Sequence, residues 1–280
     1  MLVIWKWENV SQDQLPEWFE LRGALERMAS EGTLLKSVVD RFLNQPQFEG
    51  ALSILLADQL ASARASAAQL LPVIEQAYRD HAELSRLAVS DMRATMERDP
   101  ATDCLSTVFL FSKGFHALEA YRVAHHYWCA GRQGTALSLS HACSCLLGVD
   151  IHPAAKIGAA VMFDHASGIV IGETAEIGDE ATLLHGVTLG GNGRHRCDRH
   201  PKIGAGTFIG AHASIIGNIR IGKDSIIGAG AVVLADVPDN SVAVGVPAKG
   251  KARERKPDAE FQPVLAAAGV AGSPSPVFLG

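Results

Sequence analysis

Residues 203–233 read IGAGTFIGAHASIIGNIRIGKDSIIGAGAVV, and within them Ile203, Ile209, Ile215, Ile221, Ile227 and Val233 stand six residues apart. Glycine follows the aliphatic residue at 204, 210, 222 and 228. Six is neither the helical period nor the alternation of a half-buried strand. A six-residue unit supplies one short strand and one turn, and three units close a triangular coil of about 18 residues with the aliphatic side chains stacked inward. The same spacing runs through Ile151, Ile157, Phe163 and Ile169, then, after a slip of two residues, through Ile171, Ile177, Leu183 and Leu189. The period predicts a parallel β-helix over residues 148–250, left-handed in its hexapeptide form, against the usual right-handed crossover. Between Leu189 and Ile203 the period breaks at GGNGRHRCDRHPK. That polar, basic, glycine-rich stretch is expected to leave the coil as a loop over residues 190–202.

Upstream the grammar changes. Of 27 glycines, 18 fall between Gly148 and Gly250, 6 come earlier and 3 later. Before Leu147 apolar residues recur at helical spacing, as in Phe115, Leu118, Tyr121, Ala124, Tyr127 and Trp128. Six helices are expected, roughly 15–30, 33–43, 47–62, 66–96, 114–130 and 134–147, with breaks near Gly32, Pro46, Pro100 and Gly114. The expected fold is therefore α+β: a helical domain over 1–147, the β-helix over 148–250, and a tail over 251–280 without period, expected to be flexible.

The chain has 280 residues, 48% of them hydrophobic, and a net charge of −5 without a basic run. This composition suits a globular core and offers no electrostatic footprint for nucleic acid. No apolar run approaches the ~18 residues of a membrane span, and MLVIWKWENV lacks the features of a secretory leader. Cys104, Cys129, Cys143, Cys145 and Cys197 form no CxxC pair, which suits reduced thiols and a cytoplasmic location.

Two places in the repeat carry polar residues of another kind. FDHASG, residues 163–168, sets Asp164 and His165 beside the inward Phe163, and Asp150 lies fifteen residues before His165, close to one turn of the coil. A carboxylate on one imidazole nitrogen fixes the tautomer and leaves the other nitrogen as a general base for a hydroxyl. The plainer alternative is a surface histidine capping a turn. DRHPKIG, residues 198–204, places Arg199 and His200 where the loop rejoins the coil. The Arg fork suits a carboxylate, or the pair simply anchors the loop.

DIHPAAKIG, MFDHASGIVIGETAEIG, GVTLGGNG, DRHPKIG, SIIGNIRIG, IIGAGAVVL and GVPAK, together with RDPATDCLSTVFLFSKGFHALEAYRVAH at 98–125, resemble the serine O-acetyltransferase family. The likeness covers 98–250 closely and 15–97 more loosely. It implies transfer of acetyl from acetyl-CoA to the hydroxyl of L-serine, for cysteine biosynthesis, with no metal. It implies His165 as general base, Asp150 as its orienting partner, and Arg199 and His200 as the grip on the serine carboxylate. Asp99 and Asp164 would face the serine ammonium, and Gly191, Ala211 and Ala229 would line the coenzyme A groove. The family also implies a homotrimer or dimer of trimers with His165 and His200 facing each other across a subunit boundary, and L-cysteine as feedback inhibitor. Its tail often ends in Ile and docks into O-acetylserine sulfhydrylase, whereas SPVFLG departs from that pattern.

Other readings share parts of this pattern. A sugar or antibiotic O-acetyltransferase has the coil and a histidine but does not require RDPA or the helical half. A zinc hydrolyase similar to γ-carbonic anhydrase would use His165, His195 and His200 as ligands. A solenoid without catalysis would use none of them.

Overall fold

The computed structural model describes residues 15–193 and 196–246. Among the described residues eight helices come first: α1 Pro16–Ala29, α2 Thr33–Leu43, α3 Phe48–Leu60, α4 Ala67–Asp80, α5 Glu83–Arg98, α6 Leu105–Phe111, α7 Lys113–Cys129 and α8 Gln133–Leu147. Two differ from expectation. The helix expected over 66–96 is split, because His81 at φ −145° and ψ 86° closes α4 and a new helix starts at Glu83. Pro72 lies inside α4 without ending it, and the short α6 has too few residues to show a period.

From Asp150 the described residues form fourteen short strands in three parallel sheets, which are the three faces of a left-handed β-helix. Face A stacks β1 Asp150–Ile151, β4 Val170–Ile171, β7 Thr188–Gly190, β10 Ser214–Ile216 and β13 Val232–Val233. Face B stacks β2 Lys156–Ile157, β5 Glu176–Ile177, β8 Lys202–Ile203 and β11 Arg220–Ile221. Face C stacks β3 Met162–Asp164, β6 Thr182–Leu184, β9 Phe208–Ile209, β12 Ile226–Ile227 and β14 Val242–Ala243. The register confirms the period: Ile151, Ile171, Leu189, Ile215 and Val233 stack along face A, all of them buried. The tail over 251–280 lies outside the described residues.

Helices α5 and α7 pack on β3, and α8 packs on β1. The closest approach is at Gly114, where a Cβ would overlap the Phe163 carbonyl oxygen, so only glycine lets α7 meet the coil at FDHASG. A buried polar cluster fixes the same junction. Arg122 donates from Nε to Asp91 Oδ2 at 2.7 Å and from Nη2 to the Gly158 carbonyl at 2.7 Å, while the Val161 N–H donates to Asp91 Oδ1 at 2.8 Å. Two donors, Arg122 Nε and the Val161 N–H, thus meet the Asp91 carboxylate; burial raises its pKa, and the Arg122 charge and these bonds pull against that rise. Glu119, fully buried beside them, is held well above the usual carboxylate range, first by burial and then by the Asp91 charge.

Glu119 is therefore the neutral member of the cluster. An unfolded glutamate releases its proton near pH ~4.3. A raised folded pKa means that stability is greatest at low pH and falls, by up to about 1.4 kcal/mol per unit, as pH rises from there towards the folded value. Glu119→Gln removes that slope. Its advantage in thermal midpoint over wild type is expected to grow between pH 5 and pH 8, and a difference that stays constant across this range would contradict a neutral Glu119.

Candidate active site

The slip of two residues has a structural meaning. Every C-to-A corner has a left-handed residue at the same place in the turn, at Gly168, Gly186, His212 and Gly230. From the inward residue to that position the count is three at Leu183, Ile209 and Ile227 but five at Phe163. The two extra residues are His165 and Ala166, themselves left-handed at φ 54° and 58°. Non-glycine residues adopt this conformation rarely and cluster at functional sites when they do. The insertion pushes His165 out of the coil, leaving its side chain 78% exposed, while Ala166 stays buried. From the helical side, Lys113 Nζ donates to Ser167 Oγ and secures the same turn.

Asp150 reaches this corner too, since the Gly168 N–H donates to the Gly148 carbonyl at 2.8 Å and Asp150 pairs with Val170 in the next coil. Spacing alone suggested a direct Asp150–His165 contact, but no ion pair within 4.0 Å joins them; the carboxylate nearest the ring is Asp164, whose Oδ1 is 3.7 Å from Nε2. The two extra residues are the reason, because they displace the imidazole outward from the rung on which Asp150 stands.

The second cluster sits at the A-to-B corner. Arg199 Nη2 donates to Glu173 Oε2 at 2.6 Å, and that bond holds the Glu173 carboxyl below its ordinary range. The Arg199 and His200 N–H groups both donate to Thr174 Oγ1, at 3.0 and 3.1 Å. Thr174 answers through its own N–H and hydroxyl, 3.1 and 2.8 Å from His200 Nδ1. His200 is buried, and burial, then the Arg199 charge, lower its pKa below the usual value. A neutral imidazole that accepts at Nδ1 carries its proton on Nε2. That nitrogen faces Gly172 and Gly191: a Cβ at Gly172 would overlap the ring, and one at Gly191 would lie 3.2 Å from Nε2. The arrangement is a fixed N–H donor beside a guanidinium, suited to an anion. Lys202 closes the loop by donating to Asp198 Oδ1 at 2.7 Å and to the Thr174 carbonyl.

The remaining candidates divide between corners. Ala211 and Ala229 stack at the C-to-A corner, where the Gly230 N–H donates to the Ala211 carbonyl at 2.8 Å, whereas Gly191 belongs to the A-to-B corner. Asp99 follows α5, next to Arg98, whose Nη1 donates to the Ala160 and Glu180 carbonyls at 3.0 Å each, at the B-to-C corner. Its carboxylate accepts from the Ala101 N–H at 2.9 Å and the Thr102 hydroxyl at 3.0 Å. His165 and His200 therefore stand at opposite edges of face A within one chain, and Asp99 touches neither. His195 lies outside the described residues, and among those described no group of His, Cys, Asp or Glu is arranged to hold a metal. Glu173 and Thr174 were not singled out in the sequence, although IGETAEIG lies one coil before DRHPKIG.

The chain matches the family model described as serine acetyltransferase, N-terminal, over residues 18–120, and the bacterial transferase hexapeptide model over 200–235. It is 45% identical over 247 residues to the serine acetyltransferase of Salmonella typhimurium, covering 87% of this chain and 90% of that one. It is 44% identical over 236 residues to that of Haemophilus influenzae, covering 84% and 88%. Among solved structures, Neisseria gonorrhoeae serine acetyltransferase in complex with serine superimposes with a TM-score of 0.80 at 41% identity, covering 86% of this chain and 100% of that chain. Soybean serine acetyltransferase complexed with serine gives 0.82 at 42%, covering 86% and 99%. A serine acetyltransferase in complex with CoA gives 0.79 at 44%, covering 83% and 97%. The N-terminal match leaves no place for the sugar acetyltransferase or hydrolyase alternatives: the chain belongs to the serine acetyltransferase family.

Proposed function

We propose that this enzyme transfers acetyl directly from acetyl-CoA to the hydroxyl of L-serine, in a site that two neighbouring copies of the chain complete. The observation that carries this reading is the division of face A. One edge holds an exposed imidazole with carboxylates, and the other holds a buried N–H donor with a guanidinium; neither is a complete site. A threefold arrangement that sets the A-to-B corner of one copy against the C-to-A corner of the next joins the two halves. A homotrimer is therefore the minimal active unit, and pairing of trimers through the helical domain gives a hexamer.

In the assembled site Arg199 and His200 hold the serine carboxylate, and Asp99 and Asp164 face its ammonium. Asp150, on the neighbouring rung at the same corner, orients His165 and steadies the imidazolium formed when the ring takes the proton. His165 removes the hydroxyl proton as the serine oxygen attacks the thioester carbonyl, and the coenzyme A thiolate leaves and takes up a proton. A backbone N–H of the GVTLGG segment, residues 186–191, is the donor this reading assigns to the oxyanion. Ala211, Ala229 and the neighbour's Gly191 are small enough to line the coenzyme A groove. Holding both substrates together supplies much of the remaining rate.

L-cysteine presents the same ammonium and carboxylate as serine and is expected to compete for the same grip; a serine acetyltransferase similar to this chain is solved in complex with cysteine. Contact with O-acetylserine sulfhydrylase would involve the tail, which lies outside the described residues. Among the described residues no helix is long and apolar enough to cross a membrane, and the five cysteines are free. We place the enzyme in the cytoplasm, where such thiols stay reduced.

The test is thiol release from acetyl-CoA with L-serine, set against a panel of sugars and other amino acids. Serine alone is expected to drive release above background; release with a sugar and none with serine would overturn the assignment. Arg199→Ala is expected to raise the serine KM about 10-fold or more, as loss of a charge-assisted bond implies, with a smaller change in kcat. An unchanged serine KM would remove Arg199 from the carboxylate grip.

A further inference from the structure

His165 is the first residue of a two-residue bulge and is mostly exposed, an unpromising way to hold a catalytic ring. General-base catalysis depends on geometry, and a misplacement of about 1 Å costs on the order of 10²-fold. The coil supplies a brace that the family assignment does not use. One coil on, at the same corner, His185 sets its ring 6.1 Å from that of His165, centroid to centroid, at 81° between planes. His185 is in turn met by His212, 4.9 Å away at 90°. Three imidazoles thus run edge to face along the corner.

Each step of this ladder has a backbone cause. His212 occupies the left-handed turn position that is glycine at 168, 186 and 230, and at φ 59° it adopts a conformation uncommon for a side-chain-bearing residue. Its ring lies over Gly186, where a Cβ would overlap the imidazole. His185 is thereby confined between the ring of His212 and that of His165. Its Nδ1 is buried and, among the described residues, has no hydrogen-bond partner. A histidine kept for hydrogen bonding would be expected to satisfy that atom. What the geometry uses is the ring itself, since edge-to-face aromatic pairs contribute about 0.5–1.5 kcal/mol beyond area burial.

We propose that His185 is a positioning residue for the reaction: its ring, braced by His212 over Gly186, restricts His165 to the orientation from which it takes the serine proton. The inference rests on His165 being the base, and the experiment separates the two. Purified full-length variants His185→Ala, His185→Phe and His165→Ala, and the double variant His165→Ala/His185→Ala, are compared with wild type for kcat, serine KM, acetyl-CoA affinity and thermal midpoint. His185→Ala is expected to lower kcat about 10- to 100-fold with both substrate affinities within about threefold. His185→Phe, which keeps a ring and has neither nitrogen, is expected to recover kcat to within about threefold of wild type. In the His165→Ala background the His185→Ala change is expected to add nothing.

Turnover retained by His165→Ala would remove the base assignment, whatever His185 does. If His165→Ala is inactive but His185→Ala turns over like wild type, the positioning role fails and the base stands. A phenylalanine no better than alanine at 185 also overturns the proposal, because the orphan nitrogen and not the ring would then be the working part. Midpoints that fall in parallel with kcat in both 185 variants would reduce His185 to a packing residue.

Discussion

Alanine in place of His165 is expected to lower kcat about 10²–10⁴-fold, the usual worth of a positioned general base, while acetyl-CoA affinity stays within about twofold. The stability should hardly change, because the His165 side chain is 78% exposed and the buried residue of its turn is Ala166. This combination distinguishes a base from a turn-capping histidine. A surface cap would show the opposite pattern, with a lower midpoint and intact turnover. Activity with serine and thiol release from acetyl-CoA both report the same step, so a stopped assay for O-acetylserine provides an independent check.

The second large effect is on folding. Arg122→Ala is expected to destabilise the protein by about 3–5 kcal/mol, because it leaves Asp91 buried with its principal partner gone. Arg122 and Asp91 have side-chain exposures of 3% and 1%, so water cannot replace the lost guanidinium. The Gly158 carbonyl loses its donor in the same step. The cluster joins α5 and α7 to the first coil, so chemical denaturation should show the helical half loosening from the coil. A loss below about 1 kcal/mol, the range of an exposed ion pair, would contradict the reading of this cluster as the junction.

Much of this structure was legible because a solenoid writes its inward positions at fixed intervals. Ile203 to Val233 declare the stack directly, and the shift from Ile169 to Ile171 declares that one turn is longer. What the spacing could not convey is where the extra residues go. His165 and Ala166 take left-handed backbone without being glycine, and only the folded corner shows that the insertion lifts the imidazole away from Asp150. The break at His81 was invisible for the opposite reason, since neither glycine nor proline marks it.

Residues that act through a neighbouring coil were harder to find than those in a motif. Glu173 and Thr174 meet Arg199 and His200 across 25 and 26 positions, more than one coil, because the loop intervenes. Coil counting with the loop removed would have placed them. His185 and His212 fall one coil apart by the same counting, yet each by itself reads as a polar turn residue. Gly114 does lie beside the break between α6 and α7, and what its sequence position could not convey is the Phe163 backbone that it faces.

The central claim is that His165 and His200 work together from different copies of the chain. The most direct test co-expresses His165→Ala and His200→Ala chains and measures thiol release from the mixed assemblies at a serine concentration low enough that each variant by itself is expected to turn over poorly. If the site lies between copies in a closed trimer, random mixing restores about one quarter of the sites, each pairing an intact His165 with a neighbour's intact His200. Mixed assemblies that form but remain as inactive as either parent would show that each site draws both histidines from one chain, and would contradict the account.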